Sequence, residues 1–302
     1  MAHRFGPAGD ERVVPPGAAI VDLHTHTSRS DGVLEPAELL ASAIDAGIAV
    51  LSITDHDSLA AYRELTAAGP QAALDLIPGV EINSVVSGDD GLREGELHVL
   101  GYGVDPASDE FEALLAGQRA QRRTRFERAV GRLHELGLSI DAELEKLTFH
   151  DEAALGRPTL ARMLVHAGHA ESVDDAFRRI LSGGRPGYVP RDGVGPRAAV
   201  RAIRRAGGLA SLAHFSEAPG RLDVLRDLKA IGVGGLEVYY LGFGADTIAA
   251  LEGTAKALGL IPTGGSDYHG DSESYAAAHA MLWVPPGIGT AIRGAISRQT
   301  VP

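Results

Sequence analysis

Histidine and carboxylate gather in four short segments of the chain, His24-Thr25-His26, Thr54-Asp55-His56-Asp57, Pro78-Gly79-Val80-Glu81 and Ser266-Asp267-Tyr268-His269. Each follows or closes a run that reads as a buried strand. His24 and His26 are two residues apart, so on a strand both imidazoles share one face while Thr25 points away. Asp267 and His269 repeat that spacing. Asp31 lies five residues beyond His26, and His214 closes the run Leu209–Ala213. His98 opens its strand instead of closing it, so it reaches the same end only if that strand begins there or runs antiparallel. Imidazole and carboxylate mounted together on rigid strand ends are what hard or borderline divalent metals require. The pattern predicts a multinuclear metal site.

The elements that must position these groups alternate. Ala19–Leu23, Ala49–Ile53, Leu74–Val80, Leu97–Val104, Leu209–Ala213, Gly235–Tyr239 and Leu260–Gly264 read as strands, separated mostly by helical patterns such as Pro36–Ala46, with proline at its first position and Gly47 as its stop. Seven strands with helical crossovers imply an α/β, largely parallel, barrel-like sheet. An eighth strand is available only from Met281–Val284. Strand C-termini of such a barrel gather on one face, where distant residues converge. Between Ser108 and Gly184 the alternation breaks into helical patterns, with Arg119, Arg122, Arg123, Arg125, Arg128 and Arg132 inside Gln118–Leu136, and further helices over Leu160–Val165 and Val173–Leu181. The expected organisation is a flexible N-terminus over 1–18, a barrel over 19–107 and 195–302, and an inserted helical subdomain over 108–194.

Composition narrows the class. The 302 residues carry a net charge of −12, which argues against a broad basic surface for long nucleic acid. A small anionic ligand stays admissible because bound metal reverses the local sign. With no cysteine, disulfides and thiolate zinc sites are excluded. Neither a signal peptide's apolar stretch nor a run of about 18 apolar residues is present, which predicts a cytoplasmic protein without a membrane partner. His3, His134, His150, His166, His169 and His279 read as surface or satisfied core histidines.

The motifs His24-Thr25-His26, Asp31-Gly32, Ile53-Thr54-Asp55-His56-Asp57, Pro78-Gly79-Val80-Glu81, Leu97-His98-Val99, Leu212-Ala213-His214 and Gly265-Ser266-Asp267-Tyr268-His269 resemble those of the PHP (polymerase and histidinol phosphatase) superfamily in identity, order and spacing, over nearly all of the chain from Ala18 to about Pro286. The resemblance implies a distorted (β/α)7 barrel (PHP fold) holding three divalent ions, Mn2+ foremost, with Fe2+ or Zn2+ as alternatives. Carried over position by position, it implies one ion on His24, His26, Glu81 and Asp267, a second on Glu81, His98 and His214, and a third on Asp31, His56 and His269. Three such ions against three carboxylates leave the pocket net positive, suited to phosphate. A metal-acidified water would be the nucleophile, and Asp55, Asp57 and the ligand His269 are the candidates to protonate the leaving oxygen.

Gly156-Arg157-Pro158, Ala161-Arg162, Leu181-Ser182-Gly183-Gly184-Arg185 and Gly187-Tyr188-Val189-Pro190 are similar to elements of stand-alone members with a helical insertion, which include 3′,5′-nucleoside bisphosphate phosphatases and relatives trimming short RNA from its 5′ end. Where those proteins commonly carry histidine after Gly-Arg-Pro, this chain has Thr159. The substrate class so implied is a small phosphate ester, a nucleotide, with short RNA or DNA oligonucleotides in the same pocket. Its second phosphate needs guanidinium, for which Arg157, Arg162 and Arg185 are candidates, with Tyr188 as a base or phosphate contact. Arg119 through Arg132 read instead as a solvated helix face. Gly264-Gly265 fits either a close phosphate contact or a simple turn. The rival readings are another phosphomonoesterase, such as a histidinol-phosphate phosphatase, and a non-catalytic PHP module.

Overall fold

The computed structural model describes residues 3–5, 12–14, 20–67, 69–71, 73–86, 95–146, 155–270 and 273–299. Of the expected flexible N-terminus, two short strands, β1 (His3–Phe5) and β2 (Arg12–Val14), pair antiparallel; the rest of 1–18 lies outside the described residues, as does His150.

Seven strands form one sheet in chain order: β3 (Ile20–Thr25), β4 (Ile48–Ile53), β5 (Asp75–Val86), β6 (Gly95–Tyr102), β7 (Leu209–Leu212), β8 (Val233–Tyr240) and β9 (Ile261–Gly265). All six residues of β3 are buried, as a strand covered on both faces requires. The pairs β3–β4, β4–β5, β7–β8 and β8–β9 are parallel, whereas β6 runs antiparallel to both neighbours. A parallel partner needs a crossover of a dozen or more residues, and the short connection from Val86 to Gly95 permits only a hairpin. The reversal brings the start of β6, and with it His98, to the end where β5 carries Glu81.

The sheet curls until its first and last strands meet. Asp267 N–H donates to the His24 carbonyl at 2.7 Å and His26 N–H to that of Tyr268 at 2.9 Å. A Cβ on Gly265 would sit 2.4 Å from the His24 backbone nitrogen, so only glycine lets the strands approach. That closure, neither a phosphate contact nor a turn, accounts for this glycine. Met281–Val284 adds no strand.

Helices α1 (Pro36–Asp45) and α2 (Ala60–Thr66) follow β3 and β4. α1 starts on a capping box between Glu35 and Glu38 and buries Leu39, Leu40 and Ala43. After β6 come α3 (Asp109–Glu135), α4 (Asp141–Leu144), α5 (Arg157–His166), α6 (Val173–Ala176) and a π-turn over Phe177–Leu181. α7 (Pro196–Arg205), α8 (Leu222–Ala230), α9 (Ala245–Leu258), α10 (Tyr275–Ala280) and α11 (Gly287–Gln299) complete the chain. Phe126, Leu133, Leu160, Leu164, Ile180 and Leu181 belong to a hydrophobic cluster separate from that around the sheet. No described helix is long and apolar enough to cross a membrane.

Candidate metal centre and substrate pocket

All nine predicted ligand residues converge at the mouth of the barrel in three groups, within each of which the candidate ligand atoms lie within 4.8 Å of one another. In the first, His24 Nε2 stands 3.3 Å from both Glu81 Oε2 and Asp267 Oδ1, and His26 Nε2 stands 3.3 and 3.1 Å from the same oxygens. In the second, Glu81 Oε1 lies 2.6 Å from His98 Nδ1 and 3.4 Å from His214 Nε2. In the third, Asp31 lies 3.6 Å from His56 Nε2 and 3.3 Å from His269 Nε2. The structure adds His26 to this third group, its Nδ1 being 4.0 Å from Asp31. Glu81 is common to the first two groups, so its two oxygens face different clusters.

Whether these residues fit a metal is answered by their unmet atoms. His24 Nε2, both nitrogens of His26, Asp31 Oδ1, His56 Nδ1 and Glu81 Oε2 are buried without a hydrogen-bond partner. A buried polar atom left so costs about 1–3 kcal/mol. Six of them converging from four elements are what a cation-binding centre presents.

Local backbone geometry aims the groups. Asp57, His214 and Asp267 are non-glycine residues with φ of 51°, 30° and 53°. Each such conformation costs on the order of 1–3 kcal/mol and persists where the surroundings enforce it. Here each N–H is captured, Asp57 by the Glu81 carbonyl, His214 by Glu237 Oε2 and Asp267 by the His24 carbonyl. Gly32 lets the loop after β3 fold back so that Asp31 returns to His26; a Cβ there would meet the His26 carbonyl at 2.5 Å.

The electrostatics follow from packing unlike groups in a dry site. Burial opposes charge on His98 and His269, but Glu81 raises the first to about 9, and Asp31 with Asp267 raises the second to about 10. On His56 burial prevails and lowers it to about 4. Against the same burial, the surrounding histidines hold Asp31 and Glu81 well below the usual carboxylate range.

The acid candidates divide. His269 lines the pocket, whereas Asp55 and Asp57 do not. Asp55 accepts from Thr27 N–H, Thr27 Oγ1 and Ser30 Oγ at 2.6–2.7 Å, which ties the loop carrying Asp31 to the strand end carrying His56. Asp57 Oδ2 accepts from Arg122 Nε at 2.6 Å and Arg191 Nη2 at 3.2 Å. These bonds give Asp55 and one oxygen of Asp57 partners within the protein, and of the three acid candidates His269 is the one that lines the pocket.

A pocket opens over the centre, walled on the far side by Arg122, Arg125, Phe126, Arg157, Phe177 and Arg191. Of the substrate candidates, Arg157 lines it, with its guanidinium 5.9 Å above the rings of Phe177 and Tyr188 and its Nη2 3.4 Å from Glu96. Tyr188 backs the wall by supporting Arg125 and Arg157. Arg162 turns away, donating to the Asp31 carbonyl at 2.7 Å, and Arg185 is exposed outside the pocket. The helix-face reading fails for part of α3. Arg122 is 4% exposed and Arg125 lines the pocket, while Arg119 bonds the Asp57 carbonyl; Arg123, Arg128 and Arg132 do face solvent. The buried stripe Phe111, Leu115, Gln118, Arg122, Phe126, Ala129 and Leu133 keeps helical spacing, so the sequence signal was an arginine standing in an apolar row. Arg122 Nη2, Arg125 Nη2 and Arg191 Nε are buried donors without acceptors. Burial, reinforced by the charge of Arg122, presses Arg191 down to about 10.

Sequence reasoning also missed two buried acids inside strands. Glu237 contacts His24 and His214, and Asp22 accepts from Ser266 and Tyr275. A lone acid in an otherwise apolar strand was the available sign. His134 and His166 are exposed, His169 bonds the Ser139 carbonyl, and buried His279 stacks on Tyr275.

Comparison with known proteins agrees with this geometry. The sequence profile of the PHP domain matches residues 22–181. The chain is 33% identical over 270 residues to a 3′,5′-nucleoside bisphosphate phosphatase from Chromobacterium violaceum, covering 84% of this chain and 89% of that one. It is 32% identical over 284 residues to the 5′-3′ exoribonuclease Rnm of Escherichia coli, covering 90% and 92%. Among solved structures, one from Bifidobacterium adolescentis described as a metal-dependent phosphoesterase superposes with a TM-score of 0.75 at 31% identity, over 86% of this chain and 91% of that one.

Proposed function

The chain belongs to the PHP family, and from that membership we propose that it is a metal-dependent phosphoric ester hydrolase removing the 3′-phosphate of nucleoside 3′,5′-bisphosphates. The observation that carries the reading is the convergence of orphaned imidazole and carboxylate atoms beneath a pocket whose opposite wall presents unmet guanidinium donors. One side suits cations and the other anions, which is what a phosphate ester bound between them needs.

His24, His26, Glu81 and Asp267 would hold one ion, Glu81, His98 and His214 a second, and Asp31, His56 and His269, joined by His26, a third. Divalent ions held there supply Lewis acidity, neutralising phosphoryl charge and acidifying water toward neutral pKa. A nitrogen and oxygen donor set without sulfur suits Mn2+, with Fe2+ or Zn2+ as the outcomes metal analysis would distinguish. As a ligand His269 would be neutral, with its Nδ1–H held by the Asp267 carbonyl, so water in the pocket would protonate the leaving oxygen. The wall contributed by 108–194 acts as a cap over the barrel of 19–107 and 195–302. In it Arg125 and Arg157 would take the remote 5′-phosphate, Arg122 and Arg191 would face the ester with their unmet N–H groups, and Phe177 offers a flat apolar face to the base. A cytoplasmic location belongs to the same reading. A second activity, 5′-to-3′ trimming of short oligonucleotides, is favoured by the likeness to Rnm.

Phosphate release with added Mn2+ from adenosine 3′,5′-bisphosphate, AMP, histidinol phosphate and a short 5′-phosphorylated RNA tests the proposal. The bisphosphate should be hydrolysed fastest. Equal rates on the bisphosphate and the two monophosphates would remove the bisphosphate reading, and no release by metal-loaded protein would remove the enzyme.

A further inference from the structure

Glu237 belongs to none of the three ligand groups, yet it touches two of them. It lies in β8, is 0% exposed, and both its oxygens are taken. Oε1 is 2.9 Å from His24 Nδ1, and Oε2 accepts the His214 backbone N–H at 2.7 Å. Its one ion-pair partner among the described residues is His24 itself. A carboxylate with so little compensation in a dry barrel interior is costly unless a positive charge lies close behind its partners.

The geometry points to Glu237 as a positioning residue for the metal centre, and we propose that this single carboxylate sets the first and second ligand groups together. It accepts from His24 Nδ1–H, which leaves the Nε2 lone pair free. That nitrogen is the buried, unpartnered atom facing Glu81 and Asp267. A histidine bound through one nitrogen takes its tautomer and ring orientation from the hydrogen bond of the other. The second oxygen acts on the backbone. His214 has φ of 30°, a left-handed conformation unfavourable for a side chain with a Cβ, and the bond to Glu237 pins the peptide that enforces it. In that conformation the His214 ring lies parallel to His24, centroids 5.9 Å apart, with Nε2 3.4 Å from Glu81. Without Glu237, His24 can take either tautomer and His214 can relax, so one substitution weakens two sites that share no other partner but Glu81.

The inference rests on the metal reading above, and the test separates the two. Full-length protein stripped with chelator is titrated with Mn2+ by calorimetry, for the wild type, Glu237→Gln and Glu237→Asp, and each stripped protein is melted. Glu237→Gln keeps the volume and removes the charge and one acceptor. Glu237→Asp keeps the charge and withdraws it by one methylene. Each is expected to bind Mn2+ about 10- to 100-fold more weakly, with loss in both the first and second sites, and with a melting temperature of the metal-free form close to the wild type's. Wild-type Mn2+ affinity in either variant, or a metal-free melt lowered in proportion to the loss of affinity, would overturn the positioning role. Should Glu237→Gln not fold, the Glu237→Asp titration decides alone. A wild type that binds no Mn2+ would instead overturn the metal reading itself.

Discussion

The two walls of the pocket are built on opposite principles. On the barrel side, imidazoles and carboxylates from six strands or their following loops stand close together with atoms unmatched, on backbone held in strained conformations. On the cap side, guanidiniums from a helix, a helix start and a loop are largely matched, to Asp57, Glu96 and backbone carbonyls, and keep only a few free donors. The barrel wall is unfinished without cations, and its chemistry is set before any substrate arrives. The cap wall is nearly complete alone, and under the proposed function its part would be to select the substrate. Lesions on the first should therefore abolish turnover, and lesions on the second should change affinity or stability.

The largest expected effect is on the barrel side. Asp267→Ala or His26→Ala should reduce phosphate release to background and lower bound metal measured by elemental analysis. Full metal content with no activity would show that these residues do more than hold ions. Next comes the contact joining the walls. Asp57 is 0% exposed and neutralises Arg122, so Asp57→Ala should destabilise the fold by about 3–5 kcal/mol in urea unfolding. A loss below 1 kcal/mol would mean that the walls are secured by other contacts. Smaller is the effect of Arg157→Ala. Losing a charge-assisted hydrogen bond of about 1.5–3 kcal/mol should raise KM for the bisphosphate roughly 10- to 100-fold with kcat little changed, and leave a 3′-monophosphate unaffected. Equal losses on both substrates would place Arg157 at the reacting phosphate.

The smallest effect is on pH. His98 and His269 stand at about 9 and 10 in the metal-free fold against an ordinary 6.5. Raised values stabilise fully below 6.5, and that stability is lost as pH rises through 9 to 10. Chelator-stripped protein should thus melt at lower temperature at pH 9.5 than at pH 7. Metal needs neutral imidazole, so the rise in melting temperature on adding Mn2+ should grow over the same interval. Parallel curves with and without Mn2+ would place the metal away from these two histidines.

The barrel wall was legible because its ligands sit at strand ends, where a two-residue spacing fixes which side chains share a face. His98 marked the reversed strand as the one misfit, although an apolar run reads alike in either direction. What escaped needed tertiary partners. Asp55 and Asp57 flank a ligand in sequence, and only the fold shows that their bonds go to Thr27, Ser30, Arg122 and Arg191. Arginine suits a solvated helix face, so Arg122 and Arg125 could be told from Arg123 and Arg128 only by helical phase. Glu237 and Asp22 were visible as acids in apolar strands, but their partners lie far off in sequence.

The seam where β3 meets the chain just after β9 has a consequence for synthesis. The ribosome delivers His24 through His214 long before Asp267 and His269, and the backbone bonds closing the barrel come with those same last residues. A nascent chain therefore carries most of the donors while lacking both the residues that complete two of the groups and the strand that gathers them. Competence arrives late and all at once, so a chain interrupted before residue 267 would have no closed barrel and no hydrolytic centre to act on cellular phosphate esters.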